Sequence, residues 1–62
     1  MDLTLTEEQA RELSSLIDGA LGELSHEIAD TDNAHFRVSL VERRKRLSEV
    51  GDALRRGLQA AP

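Results

Sequence analysis

Apolar residues recur in two long helical periods separated by one polar stretch. From Ala10 the positions Leu13, Leu16, Ile17, Ala20, Leu21, Leu24 and Ile28 keep the spacing of one helix face and, at about 100° per residue, fall in a stripe roughly 140° wide. A second stripe runs through Phe36, Leu40, Leu47, Val50, Gly51, Leu54 and Leu58, with Arg43 projecting inside it between Leu40 and Leu47. Between the two lies Ala29-Asp30-Thr31-Asp32-Asn33-Ala34-His35-Phe36, where Asp and Asn side chains offer the backbone local hydrogen bonds that compete with helix. The pattern predicts an all-α fold, an antiparallel two-helix hairpin forming one domain over residues 1–62. Helix 1 is expected at about 7–29, the bend at about 30–33 and helix 2 at about 34–57.

The ends of the helices carry their own signals. Thr6-Glu7-Glu8-Gln9 has the form of a capping box, Leu5 and Ala10 can staple it, and the two acids suit the positive end of a helix dipole. At the bend Asp32 is the expected cap of helix 2, with Asn33 and Thr31 as alternatives. Gly57 and Pro62 mark its end. Gly19 and Gly22 project away from the apolar stripe, where each costs about 1 kcal/mol relative to Ala. Tolerated surface glycine is the simpler account, and a kink or the close approach of another chain is the sharper one.

A bend near 31–33 sets opposite each other residues whose numbers sum to about 64. This pairs Ile28 with Phe36, Leu24 with Leu40, Ile17 with Leu47, Leu13 with Gly51 and Ala10 with Leu54, so the apolar patterns agree in register. Charge follows the same division. Residues 1–33 hold nine acids against Arg11, a balance of −8, while residues 34–62 hold seven bases against three acids, a balance of +4, together the net −4 of the chain. The register sets Glu27 against Arg37 and Glu23 within reach of Arg43, so the asymmetry has a structural reading before a functional one.

Candidate chemistry is sparse. Arg43-Arg44-Lys45-Arg46, with Arg55 and Arg56, would serve a regulator that contacts nucleic acid phosphates. Four consecutive helical residues, however, point around the whole cylinder, and the run lacks interleaved aromatics, since Phe36, the one aromatic, belongs to the apolar stripe. Solvated, salt-bridged arginines are the simpler account. His26, Asp30 and His35 gather near the bend, and the i, i+4 spacing of His26 and Asp30 suits two metal ligands, but the acids there already serve as turn and cap residues. No Gly or Glu stands where an EF-hand loop opened at Asp30 or Asp32 needs one. The serines have no Ser/His/acid spacing a hairpin would bring together, and two helices enclose no pocket, which argues against an enzyme, a cofactor or a small-molecule substrate.

With 62 residues and no cysteine, the chain is near the lower size limit for a stable domain and has no disulfide to support it. No apolar run reaches the roughly 20 residues of a membrane span, and Met1-Asp2-Leu3 lacks the start of a signal peptide, which makes the cytoplasm the expected location. The stripe of helix 1 is wider than one neighbour covers. The favoured reading is a non-enzymatic interaction protein that forms a homodimer, closing into a four-helix bundle, or docks on another protein. Its interface is expected to use Leu13, Leu16, Ile17, Ala20, Leu21, Leu24, Ile28, Leu40, Leu47 and Leu54. In architecture the chain resembles small antiparallel hairpins that dimerise into four-helix bundles, some of which bind RNA; the likeness carries no motif residue.

Overall fold

The computed structural model describes residues 1–60 and consists of α1 (Glu7–Asp30) and α2 (Ala34–Gln59), packed against each other as an antiparallel hairpin. It measures 46 × 21 × 14 Å, a single layer of two helices with two broad faces. No described helix is long and apolar enough to cross a membrane.

Helix α1 starts at a complete capping box. The Gln9 N–H donates to Thr6 Oγ1 at 3.1 Å while the Thr6 N–H donates to Gln9 Oε1 at 2.9 Å, which satisfies two of the free donors at the helix start. Its last turn has no basic residue, and the carbonyls there are served by a side chain from α2. Arg37 donates from Nε to the Ile28 carbonyl at 3.3 Å and from Nη2 to the Thr31 carbonyl. The guanidinium therefore ties the start of α2 to the end of α1, and the expected pairing of Arg37 with Glu27 does not form.

The cap of α2 is Asn33, not Asp32. Asn33 Oδ1 accepts the Phe36 N–H at 3.0 Å, and the Asn33 N–H donates to Thr31 Oγ1 at 3.2 Å. The physical reason is position: α2 begins at Ala34, so the third helical N–H is that of Phe36, which the residue immediately before the helix reaches and Asp32 does not. At the far end α2 continues through Gly57 to Gln59, with Gly57 holding no positive φ, so Gly57 does not stop the helix. Pro62, the other expected stop, lies outside the described residues.

The seam between the helices is narrow. Ile17, Leu24 and Leu40 are the buried apolar side chains, and Gly51 is buried beside them. Gly51 meets Ile17, whose Cγ2 stands 3.4 Å from where a Cβ on residue 51 would lie. Gly51, expected opposite Leu13, therefore meets Ile17, about one turn further along α1. Side chains on a helix lean towards its N-terminus, which is away from the bend in α1 and towards it in α2. Side chains that meet therefore come from higher numbers on α2 than a count of Cα levels implies.

Candidate protein interface

The helical period and the burial pattern divide the surface beside the seam into two faces. On one, Asp18, Leu21 and Ser25 of α1 lie beside Arg44, Ser48 and Arg55 of α2. Arg44 is half-buried and donates from Nη1 to Ser25 Oγ at 3.3 Å. Arg55 bonds Asp52 on its own helix, and its Nη1 lies 3.8 Å from Asp18 Oδ1 across the seam. An open groove lined by Leu21, Val41, Arg44, Lys45, Ser48 and Glu49 runs along this side. Leu21 is thus flanked by polar and charged groups.

The opposite face is apolar. Leu13 and Ala20 are half-buried and Leu16 is 65% exposed on α1, while Phe36 and Val50 on α2 are 49% and 44% exposed and Leu54 is half-buried. At the open end of the hairpin the face deepens into a groove of about 390 Å³, where Leu3 and Leu5 of the arm before α1 come to Ala10, Val50, Leu54 and Leu58. Arg43 lies on this face too, exposed, and forms no ion pair among the described residues.

The ten residues expected at an interface are therefore divided. Ile17, Leu24 and Leu40 are consumed by the seam, and Ile28 and Leu47, half-buried, border it. Leu13, Leu16, Ala20 and Leu54 remain together on the apolar face, and Leu21 stands on the polar one. Phe36, Val50, Leu3 and Leu5 belong to the apolar face but were absent from that set. The alternation of Leu3 and Leu5 just before the capping box was the signal for the arm.

The basic residues are also split. Arg43, and not Arg44, was expected at the edge of the core beside Glu23. The structure reverses the two, because Phe36 and Val50, counted as stripe members, drew the expected centre of α2 towards Arg43, whereas Gly51 and Leu40 place it towards Arg44. Of the six bases proposed for phosphate contact, Arg44 and Arg55 are engaged within the hairpin, and Lys45, Arg46 and Arg56 are exposed around the cylinder of α2 with Arg43. Near the bend His26 Nε2 lies 3.1 Å from Asp30 Oδ2, and both side chains are largely exposed. Among the described residues no three His, Cys, Asp or Glu side chains come together as metal ligands, so His35 does not complete a site with them. No protein-family model, curated protein or solved structure matches the chain.

Proposed function

We propose that the protein is a non-enzymatic assembly module that associates with a second copy of itself through the apolar face, closing two hairpins into a four-helix bundle. The observation that carries this reading is the set of incompletely buried apolar side chains, Leu3, Leu5, Leu54, Val50, Leu13, Leu16 and Ala20, on one side of a single helical layer. Soluble monomers rarely leave such a surface uncovered.

The area supports it. The chain exposes 5028 Å² at a mass of 6.9 kDa, where a compact monomer of that mass exposes about 4000 Å². The difference, about 1000 Å², is of the order of one partner's share of a stable interface, about 800 Å². Antiparallel helices joined by a short loop pack in pairs as bundles, and a two-fold dimer is the commonest way to close one.

Sedimentation at micromolar concentration, with circular dichroism alongside, tests the reading. The expected species has twice the 6.9 kDa chain mass and a melting temperature that rises with concentration. Leu16→Glu is expected to give a helical monomer, since residue 16 lies outside the seam and its charge would be buried only in the dimer. A well-folded parent monomer whose melt ignores concentration would overturn the proposal.

A further inference from the structure

We infer that the two hairpins lie with their bends at the same end, so that the acidic α1 of each copy packs over the basic α2 of the other. The inference rests on the self-association reading and specifies its geometry. Two hairpins joined face to face by a two-fold axis have two arrangements. With the bends together, α1 covers the partner's α2; with the bends at opposite ends, α1 covers the partner's α1 and α2 covers the partner's α2.

The charges at the margins of the apolar face distinguish them. By the helical period its α1 margin holds Glu12, Glu23 and Glu27, and its α2 side holds Arg43 and Arg46. All five are exposed, and none forms an ion pair among the described residues. Acids occupy one helix and bases the other.

The levels along the hairpin agree. Glu23 stands about 10 Å before the end of α1 and Arg43 about 14 Å after the start of α2, at about 1.5 Å per residue. The Glu side chain leans away from the bend and the Arg side chain towards it, which closes the gap. With the bends together, Arg43 of each copy therefore comes level with the partner's Glu23, and Glu27 lies one turn away. With the bends apart, Arg43 and Arg46, near the middle of α2, would meet the same arginines of the other copy, and Glu12 would come within a turn of the partner's Glu23 and Glu27. Like charges facing each other across an apolar contact select against that arrangement.

The chain has no cysteine, so Asp32→Cys places one thiol at the exposed bend without touching the Asn33 cap. With nitroxide labels there, pulsed dipolar spectroscopy on the dimer is expected to give a separation of one bundle width, roughly 10–25 Å, where bends at opposite ends give roughly 40 Å or more. The long distance overturns the orientation while leaving the dimer in place. Absence of any dipolar coupling, with monomer mass, removes self-association itself and the orientation with it. A charge exchange provides the second arm. Arg43→Glu is expected to weaken the homodimer on the order of tenfold, and mixing it with the Glu23→Arg/Glu27→Arg chain is expected to restore a heterodimer near parental affinity. An Arg43→Glu dimer as tight as the parent would overturn the inferred contact.

Discussion

The two broad faces of the hairpin are built from the same two helices, and they differ in what their charged groups find within the chain. On the Leu21 face, Arg44 reaches Ser25 and Arg55 reaches Asp18, so long arginine stems lie over the seam with their heads bonded inside the hairpin. On the Leu16 face, Arg43 and Arg46 are exposed and form no ion pair among the described residues. The first face is completed by folding. The second has apolar area and charges without an ion pair among the described residues, and this difference, more than the charge asymmetry alone, is what the proposed assembly rests on.

The largest effect that separates seam from face is expected at Leu40, 3% exposed against the 65% of Leu16. Leu40→Ala leaves a hole between the helices and is expected to cost about 2–5 kcal/mol, enough in so small a chain to abolish the thermal transition. Leu16→Ala is expected to retain the hairpin's helix content at low temperature and to reduce the concentration dependence of the melt. Circular dichroism melts over a hundredfold concentration range check both. Equal losses of helix would mean that seam and face are one cooperative core and that the distinction between them is empty.

The bend gives a smaller effect that checks the frame on which both faces depend. Asn33→Ala removes the acceptor of the Phe36 N–H and is expected to cost about 1 kcal/mol, several degrees of melting temperature, while Asp32→Ala is expected to leave it nearly unchanged. If Asp32→Ala were the more damaging, the start of α2 and the levels that place Arg43 opposite a partner's Glu23 would both need revision.

What was legible in the sequence follows the range of the forces involved. The two helices and the Thr6–Gln9 box rest on contacts within a turn or two, which the period and the residue types specify directly. The cap at the bend rests on which of three adjacent turn formers, Thr31, Asp32 or Asn33, directly precedes the helix, and composition cannot order neighbours. Register and face rest on side-chain lean and on where the stripe of α2 is centred. There Phe36 and Val50 lie on the outer face and not in the seam, so a stripe centred with them included takes Arg43 in and leaves Arg44 out. The same ambiguity left open which flank of the wide α1 stripe stays uncovered, since a period reports that a side chain is apolar and does not report which neighbour covers it.

The smallest expected effect is the one that bears most directly on the comparison, because it exchanges only the two neighbouring arginines. Arg44→Ala loses the long hydrogen bond to Ser25 Oγ and uncovers part of Leu21, both within the hairpin, so it is expected to cost about 0.5–1 kcal/mol at any protein concentration. Arg43→Ala breaks no side-chain hydrogen bond or ion pair among the described residues, and Ala is as good a helix former, so the hairpin is expected to keep its stability when dilute. Its cost emerges only as concentration rises and the parent gains from association while the variant gains less. The melting temperatures of the two variants therefore converge between the lowest and highest usable concentrations: Arg44→Ala is the weaker when dilute, and the gap narrows or reverses when concentrated. Parallel melts with a constant offset would mean that Arg43 is simply solvated, and that the two faces differ in apolar area but not in the use they make of charge.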